Sequence, residues 1–168
     1  MDLFHTKKLR LAFVYILFLM LVLFLQDTVL ARMTVFGVKM MFIPAAIAAV
    51  GVHEGGFRGG LFGLLAGFLC DMTFTENTVL FTLLFPAIGF AAGMAADFMM
   101  NRSYIAYLFT AAACIVVTGC IQMIRVLVLQ PSAVFYCLLI VVAQMLVSMP
   151  MAAVLYFPVE QIASRFEA

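Results

Sequence analysis

The sequence predicts an all-α integral membrane protein, a bundle of six helical spans. Of its 168 residues 67% are hydrophobic and only 10% are charged. The mean hydropathy of +1.23 exceeds what a water-facing surface tolerates. No polar stretch longer than a loop interrupts the chain, which leaves no room for a soluble domain. Glycine also recurs at every fourth position through Gly55, Gly59, Gly63 and Gly67, and Asp71 completes the series. Each glycine costs a helix in water about 1 kcal/mol relative to alanine. In a bilayer an unsatisfied amide costs more than that, so the helix forms regardless. A four-residue spacing drifts by about 40° per step and sweeps a bare stripe along one side, against which another backbone can pack closely.

The spans follow at roughly 20 apolar residues each. The first runs from about Leu11 to Val29, after the basic start Lys7-Lys8-Leu9-Arg10. Its apolar run is too long for a secretory signal despite the cleavage-like Val29-Leu30-Ala31, so it reads as an uncleaved span. The second, about Met40–Val52, is the shortest: its apolar run rises only about 20 Å against a hydrocarbon core of about 30 Å. A start nearer Val35 with Lys39 snorkelling would lengthen it. The third is the glycine segment, Phe57–Phe74, and the fourth is Thr78–Ala96. In the fourth, Gly89, Gly93 and then Asp97 repeat the same spacing, which makes the third and fourth spans natural neighbours. Tyr104–Leu127 and Ala133–Phe157 complete the set. Pro44, Pro86 and Pro150 fall inside spans two, four and six and should bend them. In the tail, residues 158–168, Val159, Ile162 and Phe166 share a face opposite Glu160, Gln161, Ser164 and Arg165. That pattern suits a short interfacial helix on the cytoplasmic surface or a frayed continuation of the sixth span.

Six crossings put both termini on one side. With the N-terminus cytoplasmic, Lys7, Lys8, Arg10, Arg58, Arg102 and Arg165 fall inside, and Arg32, Lys39 and Arg125 outside. The positive-inside rule therefore predicts cytoplasmic termini. Ionisable side chains within the apolar zone are the candidate functional residues, since the bilayer makes them expensive. This layout places Asp27, Asp71 and Arg125 at one depth near the outer face, within reach of ion pairing. Gln122, Gln144 and Ser148 lie deeper and are expected to bond between helices.

Chemical motifs are sparse. Cys70, Cys114, Cys120 and Cys137 stand singly in apolar runs, as buried free thiols do. His5 and His53 have no metal-ligand spacing around them, and no nucleophile set, P-loop or dinucleotide fingerprint is present. Glu54 beside His53 reads as a solvated turn. A net charge of +1 gives no basis for nucleic-acid binding. These observations predict no enzyme, no cofactor and no metal.

Phe36–Lys39 (FGVK), the series Gly59-x3-Gly63-x3-Gly67-x3-Asp71 and the run Leu80-Phe81-x2-Leu84-Phe85-x3-Gly89-Phe90-x2-Gly93 together resemble the MreD family. The likeness extends over the whole chain, with its discriminating residues confined to Phe36–Asp97. Met40-Met41-Phe42 stand where the family often has Pro-Asp-Leu, and Thr75-Glu76-Asn77-Thr78 replaces a glycine-bearing loop, which marks a divergent member. The resemblance implies a non-enzymatic subunit of the bacterial rod-shape complex in the inner membrane. Its partners would be the single-span periplasmic MreC, RodA, a class B penicillin-binding protein and, at the cytoplasmic face, MreB. It also implies a layout like that of the substrate subunits of energy-coupling-factor vitamin transporters, and such a subunit is the alternative function. Against that alternative, Leu11–Val29 lacks those subunits' Ala-x-x-x-Ala contact, and only Asp27, Asp71, Gln122 and Arg125 are available to hold a ligand. In the adaptor reading, the glycine stripe docks a partner span or a neighbouring internal helix, with Asp71 orienting the contact.

Overall fold

The computed structural model describes residues 2–26, 28, 34–35, 38–39, 41–74, 80–98, 104–129 and 134–167. Six helices are formed: α1 (Asp2–Leu25), α2 (Ile43–Glu54), α3 (Gly56–Phe74), α4 (Leu80–Phe98), α5 (Tyr104–Leu129) and α6 (Val134–Glu167). Between α1 and α2, the strands β1 (Thr34–Val35) and β2 (Val38–Lys39) pair antiparallel, Thr34 opposite Lys39 and Val35 opposite Val38. Among the described residues, three stretches are long and apolar enough to cross a bilayer, Leu80–Phe98, Tyr104–Ile124 and Val134–Ser164, so the chain is a helical membrane protein. Two shorter apolar helices accompany them, Arg10–Leu25 and Ile43–Glu54. α3 has the length, 19 residues, but carries Arg58, Asp71 and the glycine ladder within it.

The expected second span is where structure and sequence diverge most. Extension back to Val35 does not occur: Thr34–Val35 and Val38–Lys39 are paired strands, and the helix begins only at Ile43. α2 has 12 residues, about 18 Å of rise. It is short because it lies at the centre: every residue from Ile43 to His53 is buried, and α1, α3, α4, α5 and α6 all touch it. Ala45, Ala46, Ala48, Ala49 and Gly51 make this crowding possible, since a slim helix admits neighbours on all sides. Pro44 does not bend it. It occupies the first turn, where its missing N–H interrupts no bond and its fixed φ suits the start.

A buried helix end needs acceptors for its first amides. Gln26, at the end of α1, supplies them through Oε1, which accepts from the backbone N–H of Phe42 at 3.1 Å and of Ile43 at 3.2 Å. The neighbouring Met41 N–H donates to Ser148 Oγ of α6 at 3.3 Å. At the opposite end of α2, Tyr15 of α1 donates from its hydroxyl to Glu54 Oε1 at 2.7 Å. α1 thus runs antiparallel to α2 and is tied to it at both ends. Gly55, at φ +89°, then reverses the chain into α3, its N–H returning to Gly51 O at 2.9 Å. That left-handed backbone favours glycine.

α5 and α6 pack antiparallel on the other side of α2. Tyr107, fully buried in α5, donates to Ala152 O of α6 at 2.7 Å, with Ala45 O of α2 at 3.5 Å. α6 runs unbroken through Pro150 and Pro158 to Glu167. Of the two readings of the tail, an interfacial helix or a continuation of the sixth span, the described residues form the continuation. Val159 and Ala163 are buried and Ile162 packs on the core, so this face meets protein. The outward faces are bare hydrocarbon, including Phe13, Leu83, Phe109, Phe135 and Leu146, as a lipid solvent permits.

Replacing Gln26 with Leu should strand two buried amides and lower stability by about 1–3 kcal/mol. Thermal unfolding of the purified protein in detergent would register this as a fall in Tm.

Candidate functional site

Helices in lipid gain nothing from burying leucine, because the acyl chains are equally apolar. What can favour protein over lipid is contact closer than a Cβ allows, and the glycine ladder provides it. A Cβ on Gly59 would stand 2.6 Å from Gly51 Cα and 2.7 Å from Gly89 O. One on Gly51 would stand 2.7 Å from Gly89 O as well. These three glycines mark the point where α2, α3 and α4 meet. Along α3, Gly63 lies against the backbone of Phe85 and Pro86, and Gly67 against that of Phe81 and Thr82. From the α4 side, Gly89 meets Gly59 and Gly60, and Gly93 meets Gly55 and Gly56. The pairs advance in opposite directions, so α3 and α4 are antiparallel and in backbone contact over most of their length.

The stripe is therefore occupied from within the chain. Of the two occupants envisaged, a partner span or an internal helix, α4 takes Gly59, Gly63 and Gly67. Gly55 departs from the series, since a Cβ there would meet nothing within 4 Å and its role is the positive φ of the turn. Gly60, on the second track, is also less confined, with Pro86 O at 3.5 Å from a would-be Cβ. The residue that sequence reasoning missed is Gly51. Its signal was present, because the four-residue series extends backward from Gly55 to Gly51.

Asp71 is the last rung and works differently from the rungs before it. Its carboxylate accepts from the N–H of Phe81 at 3.2 Å, the N–H of Thr82 at 2.7 Å and the hydroxyl of Thr82 at 2.6 Å. It thus satisfies opening amides of α4, as an N-cap does, from the facing helix. The negative charge also suits the positive end of the α4 dipole. Of the predicted polar cluster, Asp27 lies outside the described residues. Arg125 falls on α5, and its side chain likewise lies outside them. Among the described residues, Asp71 meets the start of α4.

At the α2–α3 corner a second polar group forms, and here the solvated-turn reading of His53 and Glu54 is corrected. The Glu54 side chain is 7% exposed and forms an i,i+4 ion pair with Arg58, whose side chain is 54% exposed. Two donors, Arg58 Nη1 and the Tyr15 hydroxyl, therefore hold the buried carboxylate. His53 is buried, donates from Nδ1 to Ala49 O at 2.9 Å and packs on Tyr156 with ring centroids 5.1 Å apart. These groups bind helices together by bonds that each element could not make alone.

Of the deeper polar residues, Ser148 and Gln122 both bond to Met41, just before α2. Gln144 is buried in α6, and Gly119 of α5 lies close enough that a Cβ there would be 3.3 Å from Gln144 Oε1. Gln122 donates to Met41 Sδ at 3.0 Å. Cys70, Cys114 and Cys137 are buried free thiols, whereas Cys120 is exposed, contrary to expectation. Among the described residues, no group of three or more His, Cys, Asp or Glu side chains is placed to hold a metal ion.

No protein-family model, no curated protein and no solved structure matches this chain.

Substituting Gly63 with Ala should force the α3 and α4 backbones apart and cost about 1–3 kcal/mol, the usual penalty of overpacking. Gly60→Ala should cost far less, and Asp71→Ala about 1 kcal/mol for the lost cap. Parallel melting curves in one detergent would rank the three, and equal curves for the two glycine variants would contradict the geometry.

Proposed function

We propose that all six helices cross the bilayer as a unit, with both termini cytoplasmic, and that the protein is a non-enzymatic adaptor of the rod-shape complex. The topology rests on the alternating helix directions, with α1, α3 and α5 antiparallel to α2, and on the basic residues that favour the terminal side. The observation that carries the functional reading is that the residues on which the MreD resemblance stands act as one module. Gly59, Gly63, Gly67, Gly89 and Gly93 interlock α3 with α4, and Asp71 closes the pair. That module builds a rigid body, which is what an adaptor offers to partner spans. Because α4 fills the stripe, partners would dock on the outer faces of the bundle. The partners are those implied by the resemblance: an MreC-like single-span periplasmic protein, RodA and a class B penicillin-binding protein, with MreB at the cytoplasmic face.

A reporter fused after Ala168 should remain cytoplasmic, and an exported signal would rule out six crossings. Affinity purification from native membranes in mild detergent should bring down a single-span coiled-coil periplasmic protein together with a RodA-like synthase. Recovery of two ABC-type ATPases with a coupling membrane subunit would instead establish vitamin uptake.

A further inference from the structure

α1 packs only lightly on the bundle, touching α2, α6 and α3 to a similar small extent, and hollows remain between it and α3. Two depressions follow one another along this seam. The first, about 310 Å³, is walled by Leu11, Ile16 and Leu19 of α1 and by Leu61 and Leu65 of α3, with Arg58 among its lining residues. The second, about 720 Å³, continues between Met20 and Phe24 of α1 and Leu69 and Thr73 of α3. Both are apolar and open to the outside of the bundle. The seam therefore has a cationic side chain near one end and hydrocarbon along the rest.

We propose that this seam binds an anionic phospholipid of the bilayer, its phosphate on Arg58 and an acyl chain laid between α1 and α3. Charge supports that occupant. Glu54 is turned inward and already accepts from Tyr15 and Arg58, while Arg58 stands half exposed and, among the described residues, bonds Glu54 through Nη1 alone. A guanidinium has five N–H donors in a planar fork, which leaves donors for a phosphate. Arg10, also exposed, directly precedes Leu11 on the wall and adds positive charge at this end. Depth agrees with charge, since Arg58 lies in the first turn of α3 at the α2–α3 corner and the seam runs away from it along the helix. The lining argues against a partner helix. Close helix docking in membranes uses small residues, whereas these walls are branched and aromatic, with Ala12 the exception. A flexible chain fits such a wall better than a second backbone does.

The test is native mass spectrometry of the full chain in mild detergent, offered phosphatidylglycerol or phosphatidylcholine with the same acyl chains. The wild-type protein should retain one phosphatidylglycerol in preference to phosphatidylcholine and melt at a higher temperature in its presence. Arg58→Gln should lower phosphatidylglycerol occupancy about tenfold, the scale of losing one charge-assisted bond. Leu61→Trp fills the seam without touching the Arg58–Glu54 pair and should lose the adduct while keeping the wild-type Tm in lipid-free detergent. It decides the matter should Arg58→Gln fail to fold. Equal retention of the two lipids, no retention by the wild type, or undiminished adducts in Leu61→Trp would overturn the proposal. So would a photoreactive residue at position 61 that crosslinks in native membranes to a protein and not to lipid.

Discussion

Where α2, α3 and α4 meet, Gly51, Gly59 and Gly89 bring backbone against backbone, and the placement of the other helices depends on that contact. Lipid solvates a leucine side chain as well as a neighbouring helix does, so apolar burial alone cannot choose between them. Approach to within less than a Cβ's reach can, because it brings many backbone atoms into dispersion contact and lets Cα–H groups meet carbonyl oxygens. Gly63 and Gly67 extend the contact along α3, and α4 becomes a fixed wall against which α2 is set.

Once α2 is surrounded, its ends become the next constraint. A short helix inside a bundle cannot leave its first amides to water, and neighbouring side chains meet them instead. Gln26 and Ser148 reach the start of α2 from α1 and α6, and Tyr15 reaches its last residue. Asp71 serves the start of α4 in the same way. These four polar residues thus sit where helix ends need partners. Each one joins two elements.

In the proposed adaptor role, position would matter more than chemistry. Its interior is committed to holding itself together, and its outer faces present hydrocarbon to whatever lies beside them, lipid or protein. At the α1–α3 seam, Arg58 places a cation beside an apolar channel. A lipid seated there would complete a wall that the protein itself leaves open.

Membrane character, the helical class and most boundaries were legible in the sequence, because in a bilayer length and apolarity alone determine where a helix forms. The third segment, expected at 57–74, is Gly56–Phe74, and the fifth, expected from Tyr104, begins there. The pairing of the two glycine-bearing helices was legible too, since the period of small residues defines a face. What a linear pattern cannot contain is which face meets which partner. That Gly51 joins the ladder, that Gln26 caps α2 and that Asp71 caps α4 all follow from distances between segments far apart in the chain. The shortness of α2 was visible, but its cause was not. Only when five helices close around it does a segment this short become the centre of the fold, packed by protein from Ile43 to His53.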